Sequence, residues 1–267
     1  MPLLDVNGTQ VHVTDTGGKG PAVVFGHGLL FSGRMFADQV EALQDRYRCI
    51  TIDWRGQGRT PPARTGGYDM DTLTNDLVGV IDQLGLERIH YVGLSMGGFV
   101  GMRLAARHGH RVRTLTLLDT SAGPEDPEKV ARYRLLARIY RVVGMKPVRG
   151  QVEPIMFGPT FRADPGSRPR IDAWLADLAA VRRSGMQQAI YGVTDREPIF
   201  DEIAAITVPT LVVVGADDVA TPVAKAEAIQ AGICSSRLEV VEGAGHSSTI
   251  EQPAEVTRLL AEFLDEH

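Results

Sequence analysis

The chain has 267 residues, 43% hydrophobic and 23% charged, with a formal charge of −5 at pH 7; this is enough for one large core with an insertion, and it gives no broad positive field for phosphate backbones. No zinc-type Cys/His spacing and no helix-turn-helix signature occur, so nucleic acid is not an expected partner. The opening residues Met1 to Gly8 lack a basic segment followed by an apolar stretch, and no later apolar run is long enough to span a bilayer, which predicts a cytoplasmic chain without a membrane partner.

Thr9 to Asp15 alternates as a strand, and Gly17-Gly18-Lys19-Gly20-Pro21 turns the chain, as a hairpin or a loop, toward a strand Ala22 to Phe25. The glycine cluster lacks the Lys-Ser/Thr ending of a phosphate loop, so no nucleotide role is assigned to it. A helix near Met35 to Gln44, a strand Arg48 to Asp53 and a helix Met70 to Leu84 closed by Gly85 come next. Ile89 to Val92 reads as a buried strand, Gly98 to Arg107 as a helix, and Val112 to Leu118 as a strand. Cys49, in a predicted strand, and Cys234, in a loop, read as reduced thiols.

From about Gly123 to Ala205 the alternation stops. No strong strand is predicted there, and prolines from Pro124 to Pro198 break the segment into short helical pieces. Within a predicted helix Val130 to Val143, Leu135, Ile139 and Val142 share one face, with Arg132, Arg134, Arg138 and Arg141 on solvated positions. Val208 to Val214 restarts the sheet, followed by a helix Val223 to Gln230, a strand Leu238 to Val241 and a helix Pro253 to Leu264. The pattern predicts an α/β fold: a mostly parallel central sheet with helices on both faces, built from 1–122 and 206–267, with 123–205 as a helical cap over the C-terminal sheet edge.

Gly93-Leu94-Ser95-Met96-Gly97 lies between the strand Ile89 to Val92 and the helix Gly98 to Arg107. A serine on such a strand-to-helix turn exposes its hydroxyl at the top of the sheet, and flanking glycines let the chain double back, so Ser95 is the candidate nucleophile. A serine hydroxyl needs a base, and the base needs an acid to fix its tautomer. Among seven histidines, His246 stands out because Glu242-Gly243-Ala244-Gly245-His246 directly follows the last predicted strand with small residues around it. Asp217 and Asp218, after Leu211 to Val214, and Asp119, after Val112 to Leu118, all reach the same sheet edge, and position alone does not choose among them.

The order Ser, Asp, His in this context resembles the α/β-hydrolase superfamily over nearly the whole chain. The resemblance implies Asp218 as the acid, since Gly215, Asp218, Thr221 and Pro222 fit the family pattern G-x-x-D-x-x-T/V-P. Phe25-Gly26-His27-Gly28-Leu29 is similar to the family's oxyanion loop, which implies backbone N–H donors at Leu29 and Met96 and a structural role for His27. Asp53-Trp54-Arg55-Gly56-Gln57-Gly58 matches the family's D-x-R-G-x-G turn, a landmark more than a site. Gly93 to Arg113, with the small cap, resembles the enol-lactonase and aryl-esterase branch; dehalogenases and epoxide hydrolases place Asp where Ser95 stands.

The expectation is therefore a serine hydrolase of a small carboxylic ester or lactone, needing no cofactor or metal, with catalytic residues Ser95, Asp218 and His246. Amide cleavage, perhydrolysis and cleavage of a carbon–carbon bond next to a carbonyl use the same groups, and a low-turnover receptor shares the fold. The substrate-binding candidates are Leu30, Phe31, Trp54, Met156 and Val219. The arginines at 162, 168, 182 and 183 are read either as anchors for a substrate carboxylate, as an enol-lactonase would need, or as solvated positions.

Overall fold

The computed structural model describes residues 3–64 and 66–267, so the first two residues of the N-terminal reading, Met1 and Pro2, lie outside the described residues. The order of elements is β1 (Leu3–Val6), β2 (Thr9–Asp15), β3 (Ala22–Gly26), a 3-10 turn (Gly33–Phe36) running into α1 (Ala37–Leu43), β4 (Arg48–Ile52), α2 (Met70–Gln83), β5 (Ile89–Leu94), α3 (Met96–Arg107) and β6 (Val112–Leu118). Six helices follow without a strand: α4 (Pro127–Val143), α5 (Arg149–Met156), α6 (Pro159–Ala163), α7 (Arg168–Ala180), α8 (Arg183–Thr194) and α9 (Phe200–Ile203). The chain then returns through β7 (Thr210–Gly215), α10 (Val223–Gly232), β8 (Ser236–Val241), α11 (Ser248–Glu251) and α12 (Pro253–Asp265).

The eight strands form one sheet in the order β1-β2-β4-β3-β5-β6-β7-β8. The pairs β1–β2 and β2–β4 are antiparallel and every later pair is parallel. Strands β3, β5 and β7 are buried along their whole length, as parallel strands covered on both faces must be. Alternation of side chains across the pleat divides the core in two. One cluster packs Val24, Ile50 and Tyr91 with α2, α3 and α10; the other packs Val23, Phe25 and Val92 with α1 and α12 and runs on into the helical segment through Leu136, Val152 and Trp174.

Packing decides three points of local structure. Strand β1 was not foreseen, although Asn7-Gly8, with φ of 44° and 72°, is a hairpin turn that sequence can spell. Of the hairpin and the loop expected for Gly17–Pro21, the loop is the one formed, because β2 pairs with β4 and not with β3. On α4 the buried face is Leu136, Ala137 and Tyr140, while Leu135 and Val142 are 56% and 75% exposed. Contacts to α8 set that rotation: Arg134 pairs with Asp195 and lies over the Tyr191 ring. No helix among the described residues is long and apolar enough to cross a membrane.

Candidate active site

Ser95 caps α3 with φ 51° and ψ −110°, a conformation a non-glycine residue adopts only when its surroundings enforce it. Its N–H donates to Leu118 O at 2.8 Å and its carbonyl accepts from Thr120 Oγ1 at 2.8 Å, so β6 and the residues after it clamp the turn from both sides. The flanking glycines are required by space: a methyl group on Gly93 would overlap the Gly97 carbonyl, and one on Gly97 would overlap the Gly26 carbonyl.

Ser95 Oγ is 2.9 Å from His246 Nε2, and His246 Nδ1 is 2.8 Å from Asp218 Oδ2. All three residues are buried. Asp218 also accepts from the Ala220 and Thr221 N–H groups and from Thr221 Oγ1, which fixes its carboxylate plane toward the ring. Burial pulls the His246 pKa down, but the charge and hydrogen bond of Asp218 outweigh it, and the net direction is upward. Burial pushes the Asp218 pKa up, yet His246 and the Thr221 donors leave it below the ordinary carboxylate value. Asp217 sits one residue away with its carboxylate 3.5 Å from Thr160 Oγ1, outside this chain of contacts.

Two further carboxylates brace the loops that carry these groups. Asp119, wholly buried with φ 45°, accepts from Gly215 N–H at 2.9 Å and from both Ser248 N–H and Ser248 Oγ, so it joins the end of β7 to the segment just after His246. Burial, then the nearby Asp218 charge, pushes its pKa up to about 8. Glu251 accepts from the N–H groups of Gly245 and Ser247, on either side of His246, and from that of Gly158 in the helical segment, each within 3.0 Å. Sequence reasoning missed Glu251, since nothing local marks a glutamate whose partners lie four, six and ninety-three residues away.

The loop after β3 passes beside the nucleophile: a methyl group on Gly28 would stand 3.4 Å from Ser95 Cβ. Neither Leu29 N–H nor Met96 N–H has a hydrogen-bond acceptor among the described residues. Gln57, in the turn after β4, accepts from Leu30 N–H at 3.1 Å and reaches Met96 Sδ, so it braces the neighbour of one amide and the side chain of the residue that carries the other. His27 spans the same gap, with Nδ1 2.7 Å from Gly28 O and Nε2 accepting from Trp54 N–H at 3.0 Å. That pattern needs a neutral ring, and burial lowers its pKa accordingly.

A cavity of about 110 Å³ opens from Ser95 and His246 into the helical segment. Of the five substrate-binding candidates, Leu30 and Met156 line it, and Leu29 does too. Phe31 does not; its ring packs against Phe157 and Trp174. Trp54 is 1% exposed and donates its indole N–H to His27 O, which turns it into the core. Val219 is 56% exposed and faces outward. The walls come instead from Phe99, Tyr133, Leu136, Tyr140, Ile190 and Val193. Arg162, Arg168, Arg182 and Arg183 are all absent from the lining; Arg162 donates to Phe157 O, Arg168 pairs with Asp172, and Arg183 donates to Val142 O. No group of three metal-ligating side chains occurs among the described residues.

Comparison with known proteins identifies the family of this fold. A family model for the alpha/beta hydrolase fold matches residues 21–149, and one for TAP-like proteins matches residues 183–266. The AB hydrolase superfamily protein YisY of Bacillus subtilis is 31% identical over 96% of this chain and 97% of its own length. The 3-oxoadipate enol-lactonase 2 of Acinetobacter baylyi is 29% identical over 87% of this chain and 84% of that protein. The crystal structure of the enol-lactonase from Burkholderia xenovorans superposes with a TM-score of 0.91 at 29% identity, covering 99% of this chain and 100% of that one. The chain belongs to the α/β-hydrolase family and resembles its enol-lactonase branch.

Proposed function

We propose that this protein is a serine hydrolase that cleaves a small carboxylic ester or lactone through an acyl-enzyme on Ser95, with residues 123–205 as the cap over the site. The observation that carries the reading is the hydrogen-bonded chain from Ser95 Oγ through His246 to Asp218, with links of 2.9 and 2.8 Å. Ser95 Oγ attacks the carbonyl carbon while His246 Nε2 takes its proton. The oxygen that gains charge accepts from the Leu29 and Met96 N–H groups, which have no competing acceptor among the described residues; Met96 opens α3, where the helix dipole is positive, and Leu29 lies in the loop after β3. Asp218 stabilises the imidazolium. Collapse of the tetrahedral intermediate expels the alkoxide oxygen, which takes the proton from His246. For a lactone that oxygen stays tethered to the acyl group.

Water then attacks the acyl-enzyme with His246 accepting its proton, and the same proton returns to Ser95 Oγ as the carboxylic acid leaves. Groups of this chain and water handle every proton and electron pair in the sequence. Turnover of p-nitrophenyl butyrate by purified protein tests the reading. Ser95→Ala should lower kcat by roughly four to six orders of magnitude while the circular dichroism spectrum is unchanged. Near-normal turnover by a folded Ser95→Ala protein would end it.

A further inference from the structure

We propose that the cavity beside Ser95 takes the uncharged, mainly apolar part of its ester or lactone, and that the Glu125–Arg196 ion pair in the cavity wall discriminates against substrates bearing a carboxylate. This rests on the ester or lactone reading above and adds the substrate class to it.

At about 110 Å³ the cavity is of the same order as, and somewhat smaller than, an apolar void of about 150 Å³ that accepts benzene, so it suits a short alkyl group. Its walls are mainly apolar: Leu136, Ala137, Val148, Val152, Ile190 and Val193 line it, and the polar residues added by the helical segment besides Glu125 and Arg196 are the neutral Tyr133, Tyr140 and Thr194. An alkyl chain or ring there leaves water without giving up any polar contact, which favours binding in proportion to the area covered. Beyond the Ser95 and His246 end, Glu125 and Arg196 are the only charged side chains in the lining.

Arg196 is the one cation in the wall, and its charge is already matched. Its Nη1 donates to Glu125 Oε2 and to Val193 O, both at 2.9 Å, and its Nε donates to Gly123 O at 3.1 Å. The guanidinium lies 4.3 Å over the ring of Phe99, one helical turn beyond Ser95. The side chains of Arg196 and Glu125 are 2% and 10% exposed, so solvent screens the pair little. Nη2 makes no hydrogen bond among the described residues, and a neutral ester or hydroxyl oxygen can use it. A carboxylate at the same atom would face the Glu125 carboxylate across one guanidinium. Lys129, Lys225 and Asp126 are near the pair, but none of them lines the cavity. A substrate carboxylate would therefore leave its water shell for an apolar chamber whose only cation is neutralised, a penalty that well-placed partners alone can offset. In this respect the site departs from what the name of the related 3-oxoadipate enol-lactonase suggests, since that acid is a dicarboxylate.

The test uses two pairs of esters matched in length, followed by acid release at constant pH: methyl hexanoate against monomethyl adipate, and pentyl acetate against 5-acetoxypentanoate. The pairs put the carboxylate on the acyl side and on the alcohol side in turn. The parent protein should prefer the neutral ester by about 100-fold or more in kcat/KM in at least one pair, as a site that leaves a substrate group unpaired rejects it strongly. Glu125→Gln leaves Arg196 with an unmatched charge, and the preference should then fall by about tenfold or more. Equal or faster cleavage of the carboxylated ester in both pairs overturns the inference while leaving the hydrolase reading standing. No cleavage of any of the four esters or of p-nitrophenyl butyrate overturns both. An unchanged preference in folded Glu125→Gln removes the ion pair as its cause; if that variant does not fold, the ratios of the parent protein decide.

Discussion

The two regions that meet at the cavity are built on different principles. At the sheet edge, backbone conformation does the positioning: Leu30, Ser95 and Asp119 hold φ of 69°, 51° and 45°, and glycines stand where any side chain would collide. The carboxylates there are held by several partners each, from Asp218 with four donors to Glu251 with three. The helical segment supplies apolar faces of α4, α5 and α8, positioned by packing, with a single ion pair among them. The contrast separates two tasks. Reaction chemistry depends on groups at strand ends, where one residue's displacement changes everything, whereas substrate choice depends on which stripe of a helix faces inward, and such stripes are exchangeable at modest cost.

If the sheet edge is organised around one acid, its carboxylates are not interchangeable. Asp218→Asn should cost on the order of ten-thousand-fold in kcat, because the amide favours the wrong imidazole tautomer. Asp119→Asn disturbs only the bracing of the two loops and should cost roughly ten- to a hundredfold. The pH dependence provides a second readout. His246 must be neutral to take the Ser95 proton, so activity rises as pH climbs through its pKa. Burial lowers that pKa and Asp218 more than compensates, so the acid limb in the parent protein should lie above 6.5, the ordinary histidine value. Without the Asp218 charge the limb should move to lower pH. A larger loss in Asp119→Asn, or a limb that moves upward in Asp218→Asn, would contradict this division of labour.

A smaller effect distinguishes backbone from side chain within the same edge. Leu29→Pro deletes one N–H proposed to meet the developing oxyanion, a change typically costing roughly a hundred- to a thousandfold in kcat with less effect on KM. Leu29→Ala keeps the donor and should stay within about tenfold of the parent. Equal damage in both variants would assign the effect to the side chain, and no damage in either would locate the oxyanion donors elsewhere.

The same contrast explains what the sequence disclosed. The expected strand Val112 to Leu118 has the bounds of β6, because β-branched and leucine residues fill it and only Arg113 is exposed. The elbow was legible because two glycines and a serine fall within five residues between a strand and a helix, although the space that Gly97 must leave is set by the distant Gly26 carbonyl. His246 was legible from the small residues Gly243 to Gly245 that follow β8, while position left Asp217, Asp218 and Asp119 open and only the resemblance of residues 215–222 to the family pattern pointed to Asp218. Other parts depend on distant partners. Phe31 and Trp54 sit near the site in sequence but turn into the core, Trp54 through its hydrogen bond to His27 O. On α4, both Leu135 and Leu136 suit a buried stripe, and only the packing of α8 selects Leu136. Gln57 falls at a variable position of a recognised turn, and its contact with Leu30 N–H exists only once β3 and β4 are paired.

The central claim is that this edge makes one side chain uniquely nucleophilic, and covalent labelling tests it most directly. Protein treated with a fluorophosphonate and analysed by intact mass and peptide mapping should gain one adduct per chain, on the peptide containing Ser95, and Ser95→Ala should gain none. An adduct on any other residue, or labelling that persists in folded Ser95→Ala, would contradict the account.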